Sequence, residues 1–147
     1  MKKINFFVYT ISFLIFVNIL KADINVPIKN FLKKNDIEKS TTQIYLLNRC
    51  SAIYTYASAI ILKKDPINSK KFIDIANSLL FKSVELRIID DKEKLEAARK
   101  KAENERENLF KNYIEDGKKN WDLNKSYFKG SYISEDMSIC EKLINDK

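Results

Sequence analysis

The 147-residue sequence contains no histidine, two glycines and two prolines. Because histidine is the commonest general base near neutral pH and a usual zinc ligand, its absence excludes histidine-dependent nucleophile pairs and the usual zinc sites. Sandwich and barrel folds consume many turn residues, so the shortage of glycine and proline disfavours them. The sequence also has no phosphate-binding loop, no glycine-rich dinucleotide motif and no cluster of metal ligands. We therefore expect an all-α protein that is not an enzyme and that binds no cofactor or metal.

The N-terminal residues have the three parts of a secretory signal. Lys2 and Lys3 are followed by an apolar run of 15 residues from Phe6 to Leu20, and then by Ala22. This run is shorter than the about 20 apolar residues that span a bilayer core. We predict that residues 1–22 are a cleaved signal peptide and that residues 23–147 form a single helical domain, periplasmic or extracellular, with no stable membrane span. A retained membrane anchor is the alternative.

Cys50 and Cys140 are the only cysteines, and both follow the signal. An oxidising compartment lets a disulfide persist, so we predict a structural disulfide between them. A redox-active pair is the alternative, but such cysteines usually lie close together or beside a histidine. Closing so long a loop would stabilise the fold by roughly 4 kcal/mol.

The few helix breakers divide the chain after the signal into its predicted elements. Residues 23–39 predict an extended lead and at most a short helix, and residues 40–64 predict a helix with one apolar stripe. Residues 68–116 predict a long charged helix, continuous because no glycine or proline interrupts it; a bend at Asp90 is the alternative. A short final helix is predicted to begin near Ser134. The expected architecture is a small bundle in which the disulfide joins the first long helix to the C-terminal helix.

Residues 117–130 are predicted to form a loop with interleaved basic and aromatic side chains. Such a loop can neutralise and stack on an anionic polymer, although its aromatic side chains can equally well dock it on the bundle. The possible partner-binding residues are Lys118, Lys119, Trp121, Lys125, Tyr127 and Lys129. Residues 23–147 retain 24 basic and 20 acidic residues, a net charge of +4. This excess is compatible with anionic partners and equally with an ordinary solvated helical surface.

Arg49 lies in an apolar helix next to Cys50 and is therefore expected to need an acidic partner, either Asp136 or Glu141. We predict a structural ion pair here rather than an anion-binding site.

These features together predict a small exported helical protein that binds another macromolecule as an adaptor or inhibitor. The expected partner is another protein. The long charged helix is the expected contact surface. One alternative is a binder of anionic envelope or nucleic-acid polymers through residues 117–130. A second alternative is a carboxylate-based hydrolase, for which Asp122, Asp136 and Glu141 are the candidate acids.

Overall fold

A computed structural model of the protein describes residues 26–145, and the predicted signal peptide lies outside this range. The described residues form five helices that pack as a bundle, without strands. This confirms the predicted all-α fold. The helices are α1 (Ile28–Leu32), α2 (Ser40–Ile61), α3 (Pro66–Ile89), α4 (Leu95–Asn124) and α5 (Tyr132–Asn145). Within residues 26–145, no helix combines the length and the apolar character needed to cross a bilayer.

Helix α2 lies at the centre of the bundle, in contact with α3, α4 and α5. Small hydroxyl side chains let α3 approach it closely. The Ser51 hydroxyl donates a hydrogen bond of 2.7 Å to the Ala76 carbonyl, and the hydroxyls of Ser58 and Ser69 lie 2.8 Å apart. Because these buried polar groups are paired with each other or with backbone, the close helix pair carries little desolvation cost.

The predicted continuous helix over residues 68–116 is wrong, and the structure instead agrees with the alternative bend at Asp90, because α3 ends at Ile89 and α4 begins at Leu95. Lys92 adopts a left-handed conformation, with φ of 56°, and Glu93 donates its backbone N–H to the Arg87 carbonyl. The Glu93 carboxylate then pairs with Lys101 at 2.6 Å and lies 3.9 Å from Arg87. A left-handed lysine costs roughly 1–2 kcal/mol, and glycine would normally occupy such a position.

The predicted loop over residues 117–130 is also wrong at its N-terminal half, because α4 continues through Gly117 to Asn124. Gly117 is buried within the helix, where a Cβ atom would collide with the Tyr56 hydroxyl. The glycine therefore serves close packing, and the chain turns instead at Lys125, which has φ of 53°.

Helices α2 and α4 run in the same direction. Near the start of the contact, Asn48 donates a hydrogen bond to Glu105; further along, the rings of Tyr56 and Tyr113 stack with centroids 6.0 Å apart. Residue numbers thus rise together along both helices. The turn after α2 and the C-terminal end of α4 consequently lie at the same end of the bundle.

We expect Gly117→Ala to destabilise the protein by about 1–3 kcal/mol, because the added methyl group overpacks the buried Tyr56 ring. Urea unfolding measures the change. In a Tyr56→Phe background the same substitution should cost clearly less, since the hydroxyl nearest the methyl group is gone and alanine favours the helix over glycine. Equal costs in both backgrounds would show that Tyr56 is not the cause.

Candidate functional site

The Cys50–Cys140 disulfide joins α2 to α5, with Cα atoms 5.5 Å apart. The prediction of this pairing is confirmed. Both cysteines are buried, and neither has the exposure expected of a reactive thiol pair. A disulfide of this kind points to an oxidising, non-cytoplasmic environment.

A buried ion pair lies beside the disulfide, one residue from it on α2 and one helical turn from it on α5. Arg49 donates from Nε to the Asp136 carboxylate at 2.8 Å, and the two side chains are 2% and 0% exposed. Asp136 also accepts hydrogen bonds from the Tyr113 hydroxyl at 2.8 Å and from the Ile28 backbone N–H at 2.8 Å. The sequence left Asp136 and Glu141 open as partners, and the structure selects Asp136. We call these residues the Arg49 centre.

The electrostatics of the Arg49 centre keep its guanidinium charged. Burial by itself would lower the pKa of Arg49, but the nearby Tyr113 and Asp136 raise it above its ordinary value. Burial raises the pKa of Tyr113 well above its usual range, so its hydroxyl stays protonated and can donate to Asp136. The centre therefore acts as a structural anchor for α1 and α5.

An open groove with a volume of about 710 Å³ lies between α2, α3, α5 and the segment before α2. Its most buried lining residues are Leu46, Cys50 and Cys140, which are 4%, 2% and 0% exposed. The disulfide thus forms part of the deepest surface. The remaining apolar lining residues are Ile37, Leu47, Ile75, Leu79, Leu86, Ile89, Leu143 and Ile144. We call this feature the apolar groove.

Polar side chains line the apolar groove at its sides. Glu38 lies on the segment before α2, and Lys82 and Glu85 lie on α3. From Ile75 to Ile89 the groove follows α3 over 14 residue-to-residue steps, a length of about 21 Å at ~1.5 Å per step. An apolar interior with a polar rim is the usual anatomy of a protein-binding surface.

The structure separates the partner-binding residues predicted in residues 117–130 from the apolar groove. Trp121 lies on the last turns of α4 and stacks on Tyr127, with ring centroids 4.7 Å apart. The four lysines are exposed; Lys119 pairs with Asp116 at 3.0 Å, and Lys125 donates to the Asp122 carbonyl. The lysines thus share one end of the bundle, but Trp121 and Tyr127 cover part of each other.

Sequence reasoning did not identify the apolar groove as a site. Its lining residues on α2 and α3 belong to apolar stripes that predict core positions, and α5 covers only part of that surface. Leu143 on α5 and Ile89 on α3 mark the limit of the surface that α5 covers, since their side chains are 37% and 59% exposed. Within residues 26–145 we find no group of three or more cysteine or acidic side chains arranged to hold a metal ion.

Comparison of the chain with protein-family models, with curated proteins and with solved structures found no match.

We expect Asp136→Ala to destabilise the protein by about 3–5 kcal/mol, because it leaves the Arg49 charge buried without its carboxylate. The matched control is Glu135→Ala, since Glu135 forms only an exposed pair with Lys29 and its loss should cost at most about 1 kcal/mol. Urea unfolding of both variants at neutral pH measures the difference. A small cost for both would mean that the buried pair does not anchor α5.

Proposed function

We propose that the protein is an exported, non-enzymatic binding module that receives an amphipathic helix of a partner protein in the apolar groove. The observation that carries this proposal is the groove itself, an open apolar surface about 21 Å long beside a polar rim. A helix of about 14 residues has the same length, and its apolar side chains at every third or fourth position would face the groove.

The character of the groove favours a helical protein segment over a small apolar ligand. Its volume of about 710 Å³ falls within the range of ligand pockets, but the groove is open along its side. Lys82, Glu85 and Glu38 provide both signs of charge at its edge. A helix with a polar outer face can pair with these charges while its apolar face stays in the groove, whereas an acyl chain would leave them unused.

Export is proposed from two independent features. The N-terminal residues 1–22 have the composition of a secretory signal, and the disulfide is the kind of cross-link that oxidising compartments preserve. Periplasmic and extracellular locations both satisfy these features. Intact mass of the protein recovered from the envelope or medium should equal residues 23–147 minus two hydrogens for the disulfide. Reduced, full-length protein in the cytosol would contradict export.

The sequence predicted residues 68–116 as the contact surface; the part of that range in α3 lines the groove, whereas the more charged part in α4 supports partner binding less well. Its charges pair along the helix, as in Arg99 with Glu103 at 2.9 Å and Lys111 with Glu107 at 2.6 Å. Such pairs are typical of a solvated helix face. We therefore assign the partner to the groove and keep the binding of an anionic polymer through the lysines of residues 117–130 as the alternative function.

The hydrolase alternative has the weakest support. The pKa values of Asp65, Glu107 and Asp116 are each lowered. A general acid at neutral pH needs the opposite shift. Asp136 is engaged in the Arg49 centre.

A model peptide tests the proposed function. We expect a fluorescent 15-residue amphipathic helix with leucines on one face to bind the protein, and Leu143→Asp and Ile89→Asp each to weaken binding at least about tenfold. Fluorescence anisotropy measures the affinity. Both side chains are exposed, so their replacement should leave the fold intact.

The matched control is Leu95→Asp, because Leu95 is as exposed as Ile89, at 59%, but lies outside the groove. Its affinity should equal that of the unchanged protein. An unchanged peptide affinity in both groove variants would contradict the proposal. Displacement of an apolar dye from the groove by fatty acid, with no displacement by peptide, would instead identify a small-ligand carrier.

A further inference from the structure

The end of the bundle formed by residues 62–71 and 116–130 carries an unusual excess of positive charge. These residues include eight lysines and three aspartates, a net charge of +5. The whole of residues 23–147 has a net charge of only +4, so the rest of the chain is close to neutral. The lysines are Lys63, Lys64, Lys70, Lys71, Lys118, Lys119, Lys125 and Lys129. We call this surface the lysine-rich end.

The two segments lie at one end because α2 and α4 run in parallel. Tyr56 of α2 lies against Gly117 of α4 and donates a hydrogen bond of 3.1 Å to the Tyr127 carbonyl. From this level, α2 continues for about 8 Å to Ile61 and α4 for about 11 Å to Asn124, at ~1.5 Å per residue. The turn after α2 and the turn after α4 therefore project together.

Large apolar side chains are exposed among these lysines. Nine large apolar side chains are exposed within residues 26–145, and four of them lie at the lysine-rich end. Leu123 is 82% exposed, Ile67 is 72%, Leu62 is 55% and Trp121 is 42%. Three of the other five line the apolar groove. Exposure of aliphatic side chains to water is unfavourable. Their concentration at one end of the bundle therefore indicates a partner with an apolar surface that can cover them.

The acidic residues of this end do not cancel its charge. Asp65 caps α3 by accepting the Asn68 backbone N–H at 3.0 Å, and Asp116 accepts from the Tyr132 hydroxyl and pairs with Lys119. Lys70 pairs with Asp74 just beyond the segment. Lys63, Lys64, Lys118 and Lys129 remain as exposed cations that can approach an anionic surface.

We propose that the lysine-rich end docks the protein on an anionic lipid bilayer, with Leu62, Ile67 and Leu123 entering the headgroup region and the lysines contacting lipid phosphates. Apolar side chains beside lysines are the combination by which peripheral proteins bind the membrane interface. Tryptophan is also favoured at that depth, which suits Trp121. A soluble polyanion would use the lysines but would leave the aliphatic side chains in water. This proposal is independent of the apolar groove, which opens elsewhere on the bundle.

Vesicle sedimentation tests the proposal with protein recovered from cells that express the full chain. We expect binding to vesicles of equal phosphatidylglycerol and phosphatidylcholine, little binding to phosphatidylcholine alone, and weaker binding as salt rises. Leu123→Ser with Ile67→Ser should lower the partition coefficient about tenfold. Lys63→Gln with Lys64→Gln should lower it about fivefold for each lysine.

Matched controls remove the same residue types elsewhere. Phe81→Ser with Leu95→Ser, and Lys94→Gln with Lys100→Gln, replace exposed side chains away from the lysine-rich end and should leave binding unchanged. All variants share one N-terminus, so any contribution of that segment cancels in the ratios. Equal binding to neutral vesicles, or no effect of the Leu123 and Ile67 substitutions, would overturn the proposal. Tight binding of soluble polyphosphate that depends on the lysines but not on Leu123 and Ile67 would overturn it in favour of a polymer.

Discussion

The Arg49–Asp136 ion pair is the interaction on which the arrangement of the helices depends. A guanidinium with 2% exposure cannot remain inside a small bundle without a carboxylate, and α5 supplies it. The same carboxylate holds the backbone of α1 and the hydroxyl of Tyr113 on α4. One buried charge on α2 therefore brings three other helices to a common point. The disulfide one residue after Arg49 reinforces the position of α5 further along its length.

The apolar groove follows from this placement of α5. Asp136 holds the first turns of α5 over α2, and Cys140 holds its middle, so Leu143 and Ile144 come to lie beside α3 without covering it. Up to Asn145, α5 forms one side of the groove and leaves Ile89 on α3 exposed. The protein thus keeps an open apolar surface whose shape is set by a buried ion pair and a cross-link, two features that resist rearrangement.

Much of the architecture could be predicted from the sequence because it depends on residue types with strong preferences. Scarce glycine and proline predicted helices, two cysteines predicted their own pairing, and an arginine in an apolar stripe predicted an acidic partner. The break at residues 90–94 was predicted only as the alternative bend at Asp90, since Lys92 takes a left-handed conformation that glycine normally provides. Gly117 predicted a loop but lies within α4, because its presence there depends on a contact with Tyr56, which is distant in sequence. The groove could not be predicted, because the spacing of apolar residues does not show which of them a neighbouring helix leaves uncovered.

The position of the two cysteines along the chain determines when the protein can become covalently closed. Cys50 lies near the middle of α2, whereas Cys140 belongs to the last helix in chain order. During synthesis, α2, α3 and α4 are therefore complete before the second sulfur exists. Until Cys140 of α5 has been synthesised, the Cys50 thiol has no second cysteine with which to form a disulfide. The disulfide can consequently close only after α1 to α4 and the first half of α5 have been synthesised.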